Sequence, residues 1–160
     1  MSTPLTMHRA TAEDLPSITS LVAQLNREEG YDMSASMDQL RAAMFAGDAR
    51  VSMQALVAQR DGRTVGTVLF YWGFDTVSAS YGYHLADIVV APVARAQGIG
   101  RALMAALAAQ CLQQQGQWVS LTVLKKNARA KQFYLKQGMV EVGVDFLAIG
   151  PKGLARCAQI

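Results

Sequence analysis

Leu15, Ile18, Val22 and Leu25 recur at helical spacing and predict an amphipathic helix. Thr11 or Asp14 is its cap, and Pro16 suits its first turn. Ser36-Met37-Asp38-Gln39 has the form of a capping box, with Leu40 and Met44 giving the next helix its apolar face. Alternation marks strands at Met7–Ala10, Gln54–Arg60 and Thr64–Trp72. Asp61-Gly62 lies between the last two and predicts a type I′ hairpin turn, whose central residues need positive φ. Gly73 to Gly82 reads as a loop and Tyr83–Val90 as a strand closed by Pro92. A helix with Leu103, Leu107 and Cys111 on one face follows and ends near Gly116. Trp118–Leu124 alternates as a strand. Asn127 can cap a helix running to Gln137, with Gly138 just past its end. Met139–Val144 and Phe146–Ile149 read as two last strands. The pattern is a mixed α/β domain covering residues 1–160.

Composition narrows the class. At 160 residues and 51% hydrophobic, the chain can bury one core, and wholesale disorder is excluded. The longest apolar run, Ala102 to Ala109, is too short to span a bilayer, and Met1 to Arg9 has no apolar signal region. Neither a membrane partner nor a secretory route is expected. Two cysteines and two histidines lie scattered, so the expectation is a reduced, cytoplasmic protein without a metal.

Charge is unevenly divided. Residues 1–90 hold 6 Lys/Arg against 10 Asp/Glu, whereas residues 91–160 hold 9 against 2. Such a split suits an anionic ligand on one side and a cationic one on the other. The basic residues form no single stripe, so a small polyanion is favoured over nucleic acid.

The most informative stretch runs from Tyr83 to Met104: strand, Pro92, Arg95-Ala96-Gln97-Gly98-Ile99-Gly100, helix. A helix start presents unpaired N–H groups and partial positive charge to an anion. Gly98 and Gly100 let a phosphate approach the backbone, and Arg95 and Arg101 add charge beside it. A dinucleotide fingerprint needs Gly or Ala where Leu103 stands, and a Walker loop needs Gly-Lys-Ser/Thr. What remains is R-x-x-G-x-G between a strand and a helix. A second strand and helix follow, in which Asn127, Lys131 and Tyr134 share one face.

These two blocks resemble the GNAT N-acetyltransferase superfamily, whose signature is Q/R-x-x-G-x-G/A. The resemblance implies a seven-stranded, mostly antiparallel mixed sheet with four helices, splayed at its two central strands. It also implies acetyl-CoA as co-substrate. Leu21 to Leu25 with Glu28-Glu29, Met37 to Phe45, Tyr83 to Val90 and Phe146 to Ala158 are similar to the spermidine/spermine N-acetyltransferase branch. By that likeness the strand end Ile88, Val89 and Val90 meets the pantetheine arm. Arg95, Ala96, Gln97, Gly98, Ile99, Gly100 and Arg101 hold the pyrophosphate. Asn127, Ala130 and Lys131 line the cofactor, and Tyr134 stands at the sulfur. A phenol, with a pKa of about 10, is protonated at neutral pH and can give its proton to a departing thiolate.

One departure matters. The branch has a Glu before the Asp of this strand, a residue given the role of general base; here the pair is Ala86-Asp87. An amine with a pKa near 10 is neutral in only about one molecule in a thousand at pH 7, so its proton needs a route. Asp87 can serve if a bulge re-aims it, and His84 is the second candidate. Glu28, Glu29 and Asp32 with Tyr31 form an acidic loop that the resemblance places over the acceptor site, where it would attract a cationic amine, and Trp72 can line an acceptor pocket. The reading is therefore an N-acetyltransferase acting on a small primary amine (polyamine, thialysine or amino acid) by direct attack in a ternary complex. It is expected to be a homodimer. The alternatives are a non-catalytic acyl-CoA-binding domain and a protein N-terminal or lysine acetyltransferase.

Overall fold

The computed structural model describes residues 4–47 and 52–158. It divides into two compact units, residues 1–126 and 127–160, which are taken in turn.

The first unit is built on one sheet of five strands in the order β1-β2-β3-β4-β5. These are β1 (Thr6–Arg9), β2 (Gln54–Arg60), β3 (Arg63–Asp75), β4 (Ser80–Val90) and β5 (Trp118–Leu121). The first four pair antiparallel, and β5 joins β4 in parallel, making the sheet mixed. Asp61 and Gly62 turn the β2–β3 hairpin with φ of 52° and 68°, the left-handed pair that a type I′ turn requires. The segment read as a loop is mostly strand. β3 runs on to Asp75 and β4 begins at Ser80, because Trp72, Phe74, Tyr81 and Tyr83 interlock their rings across the pair. β5 stops at Leu121, three residues short of the expected end.

Helices cover both faces. α1 (Leu15–Glu29) and α2 (Met37–Phe45) lie on one face. Leu15, Ile18, Val22 and Leu40 there form a core with Ala55, Val57 and Leu69 of the sheet. The Ser36 box caps α2 as expected: Gln39 N–H donates to Ser36 Oγ, and Ser36 N–H donates to Gln39 Oε1. α3 (Ile99–Gln113) lies on the other face. Its Ile99 and Leu103 come so close to Gly66 that a Cβ there would stand 3.2 and 3.1 Å from them.

The second unit holds α4 (Ala128–Lys136) and α5 (Pro151–Cys157). Asn127 caps α4 as expected, its Oδ1 accepting from Ala130 N–H at 3.0 Å. The two last strands are a correction: among the described residues, 139–150 form no strand. Val140, Val142, Val144, Phe146 and Leu147 are exposed. Alternation licenses a strand only where a partner edge accepts its hydrogen bonds, and Gly143 and Asp145 weaken what intrinsic preference remains. Among the described residues five strands and five α-helices thus stand where about seven and four were expected, and α5 was not foreseen.

Candidate active site

β4 holds the candidate residues His84, Asp87 and Ile88–Val90, and its pairing sets where they face. Leu69 faces Asp87 while the next residue, Phe70, faces Leu85, so Ala86 is an extra residue on β4, a β-bulge. Directly opposed residues share a face of the sheet. Tyr71 faces His84, their rings 5.1 Å apart, and Leu69 belongs to the core beneath α1. Ala86 packs against that same core. The bulge therefore turns both Ala86 and Asp87 toward α1 and brings Asp87 onto the face of His84. Without it, residues three apart on a strand would point to opposite sides.

Asp87 sits in a demanding environment. Burial pushes its carboxyl above the ordinary value, and the negative charge of Glu29 pushes the same way. A carboxylate so placed is a stronger base than one in water. Burial lowers the pKa of His84, which keeps the imidazole neutral, and its Nδ1 lies 3.1 Å from Ser120 Oγ on β5. Ala86, by contrast, packs against the core, and the carboxylate at this bulge is that of Asp87.

β4 also has an open edge. It pairs with β5 only over Gly82–Leu85 against Trp118–Leu121. Among the described residues only β3 pairs with it beyond Leu85, so no described strand lies on the other side of Ala86–Val90. That is the expected splay, although β5 is the edge of the sheet and not a central strand. Ile88 and Val90 oppose Val68 and Gly66 on the α3 face, whereas Val89 is buried opposite Thr67 on the α1 face. The Val90 carbonyl already accepts from Arg95 Nε at 3.0 Å.

The turn after β4 presents donors. Ala96 and Gly98 have φ of 59° and 79°, and Gly98 is the residue before α3. The first intrahelical bond runs from Ala102 N–H to Gly98 C=O, which leaves the N–H groups of Ile99, Gly100 and Arg101 without a helical acceptor. A Cβ at Gly98 would meet nothing within 4 Å, so the approach is open. The Ile99 side chain is buried, so this residue offers its backbone alone. Gln97 is held by Arg60 Nη1 and the Val93 carbonyl. A phosphate group fits this turn through backbone donors and the helix dipole.

Arg95 and Glu28 belong together. Arg95 Nη2 lies 2.7 and 2.9 Å from the two Glu28 carboxylate oxygens. A residue expected at the phosphate and one expected at the amine are thus a single ion pair. Glu29 ends α1, and its carbonyl accepts from Lys126 Nζ at 2.9 Å. Lys126 and Ser120 escaped the sequence reading; the only signal was the Lys125-Lys126 pair soon after a predicted strand. Tyr31 follows the left-handed Gly30 and is exposed. Trp72 lies opposite Tyr83, ring to ring at 4.4 Å, on the face away from Asp87. Strand alternation puts Tyr71 on the Asp87 face in its place.

In the second unit, Asn127, Lys131 and Tyr134 share one face of α4 by their spacing. Lys131 pairs with Glu141, and the half-buried Tyr134 packs its ring on Phe133. Among the described residues no three of His, Cys, Asp and Glu gather as a metal site, and no helix is long and apolar enough to cross a membrane.

The acetyltransferase (GNAT) family model matches residues 19–139, more than half of the chain. The protein belongs to this family, and it is an N-acetyltransferase. An aminoalkylphosphonate N-acetyltransferase of Salmonella typhimurium is 29% identical over 132 residues, covering 82% of each chain. Among solved structures, an integron cassette protein from the mobile metagenome of V. cholerae superposes with a TM-score of 0.81 at 21% identity. That match covers 100% of this chain and 99% of the other. An aminoglycoside acetyltransferase from an uncultured soil sample, solved with sisomicin, gives a TM-score of 0.74 at 20% identity over 91% of this chain and 95% of its own. These two likenesses show the fold.

Proposed function

We propose that this GNAT enzyme moves an acetyl group from acetyl-CoA to the primary amine of a small molecule by direct attack in a ternary complex. The observation that carries the proposal is the Ala86 bulge. It places a half-buried Asp87 carboxylate, crowded by Glu29, next to a strand edge that leads into a turn of free N–H donors. The acidic surroundings favour a cationic nitrogen, and the aminoalkylphosphonate enzyme makes zwitterionic amines the first candidates beside polyamines, thialysine and amino acids.

The residues divide the work. The N–H groups of Ile99, Gly100 and Arg101 take the pyrophosphate, and the open edge of Ile88–Val90 lines up the pantetheine arm, leaving an N–H to polarise a carbonyl oxygen. Asn127, Ala130 and Lys131 lie along the cofactor by the family likeness. Acetyl-CoA supplies the activated thioester. Asp87 Oδ takes a proton from the bound ammonium, directly or through water, and the neutral amine so freed attacks the thioester carbonyl, with neutral His84 as the second proton acceptor. Tyr134 Oη holds the proton that the sulfur takes on leaving.

Calorimetry with CoA and a thiol-release assay over an amine panel test the reading. Binding in the micromolar range and turnover of at least one amine are expected; no CoA binding at hundreds of micromolar overturns it. Tyr134→Phe should lower kcat by about 10- to 1,000-fold and leave CoA affinity nearly unchanged. The reading also includes a cytoplasmic homodimer, which light scattering tests.

A further inference from the structure

The last turn of α1 lies between two cations that come from different strands. β4 and β5 run parallel and part after Leu85 and Leu121. The chain leaving β4 carries Arg95, and the chain leaving β5 carries Lys126. Arg95 grips both Glu28 oxygens at 2.7 and 2.9 Å and holds the Val90 carbonyl with its Nε at 3.0 Å. Lys126 Nζ donates to the Glu29 carbonyl at 2.9 Å. That carbonyl is one of the orphan acceptors that every helix leaves at its C-terminus, and a cation there also meets the negative end of the helix dipole. Gly30 closes the helix at φ 89°, with Gly30 N–H on Arg27 C=O and Tyr31 N–H on Asn26 C=O. Glu29, between the two tethers, is close enough to Asp87 to be felt electrostatically.

We propose that Arg95 and Lys126 are positioning residues: from the two sides of the β4–β5 opening they fasten the last turn of α1 and so set where its acidic end, Glu28-Glu29, stands at the amine side of the site. This rests on the acetyltransferase reading, because it concerns the amine side of that site. It also reassigns Arg95. With Nε on Val90 and Nη2 on Glu28, its guanidinium is committed to the protein, and the phosphate falls to the backbone of the turn. Lys126 gains a role that its surface position would not suggest. The Arg95–Glu28 pair is partly exposed and the Lys126 bond exposed, so each is modest alone; their value is geometric.

Three readouts test the proposal on the full-length protein. In hydrogen exchange, Arg95→Gln and Lys126→Met should each speed the Gly30 and Tyr31 amides by about two- to tenfold, while β2 and β3 amides stay unchanged. In calorimetry with CoA, Arg95→Gln and Glu28→Gln should each change Kd by less than about twofold, and the double variant should match either single one. In the thiol-release assay with an aminoalkylphosphonate, or otherwise the best amine of the panel, both variants should raise the amine KM severalfold with little change in kcat. Lys126→Arg should restore it, which a purely packing role would not require. Unchanged exchange at Gly30 and Tyr31 overturns the proposal. So does a tenfold loss of CoA affinity in Arg95→Gln that Glu28→Gln does not share, since that marks a phosphate ligand. Failure of the wild-type chain to bind CoA overturns the acetyltransferase reading instead, and the exchange result then stands by itself.

Discussion

From Gly82 to Leu85, β4 is hydrogen-bonded on both sides, to β3 and to β5; from Ala86 to Val90 it has β3 alone. The first half, His84 apart, is built into the fold. Tyr83 and Leu85 are buried, and Tyr83 Oη sits in a polar network with Gln114 Oε1 at 2.9 Å and Gln110 Nε2 at 3.1 Å. Gly82 is pressed onto Trp118 so closely that a Cβ would collide with its indole ring and its carbonyl oxygen. The second half begins with a bulge, holds a carboxylate whose pKa burial raises, and leaves one edge of its backbone unpaired. One strand thus pairs on both edges in one half and on a single edge in the other, and the proposed pantetheine contact would use that second edge. The bulge marks the border, since an extra residue both ends regular pairing and re-aims the side chains after it.

The comparison can be broken from either side. Asp87→Asn should reduce kcat by about 100- to 10,000-fold, the range for a lost general base, while CoA binding persists. The wild-type rate should rise with pH through a pKa above the ordinary carboxylate value, because burial and Glu29 resist ionisation. Gly82→Val strikes the closed half. It should cost about 3 kcal/mol or more, since backbone as well as ring blocks the new side chain, and the measurement is a denaturant midpoint. Tyr83→Phe leaves Gln110 and Gln114 short of a partner and should cost about 1–2 kcal/mol with turnover unchanged.

The smallest effect sharpens the contrast most. Asp87 has a raised pKa in the fold, so the folded protein holds its proton more tightly than the unfolded chain does. That contribution is present at low pH and is lost as pH rises from the unfolded value of about 3.9 through the folded one. Asp87→Asn should therefore be slightly more stable than wild type at neutral pH, and the gain should vanish in acid. Asp14 behaves oppositely. Burial works against its charge, but bonds from the Thr11 N–H and hydroxyl and from His8 outweigh that and lower its pKa. Its stabilising effect is present at neutral pH and is lost as pH falls through the folded value. A carboxylate with its partners built in supports the fold, whereas one left without them is available for chemistry.

Local signals were sufficient for much of the chain. The helical spacing of Leu15 to Leu25, the Ser36 box, the Asp61-Gly62 turn, the Gly98 turn and the Asn127 cap all depend on neighbours a few residues away, and all formed as read. Where the outcome depended on a distant partner, the pattern alone was ambiguous. Val140, Val142 and Val144 alternate as Thr64 to Trp72 do, yet only the latter has edges to bond, and the aromatics that lengthen β3 and β4 show as a pair only once the strands meet. The site divides in the same way. The turn proposed for the phosphate is a local motif written in two glycines. The site's carboxylate depends on how β4 registers against β3, because one extra residue reverses the face of everything beyond it. No composition or spacing within β4 encodes that slip, and none could have joined Arg95 to Glu28 across 67 residues. Residue types set what chemistry is possible here, and tertiary pairing decided which of them meet.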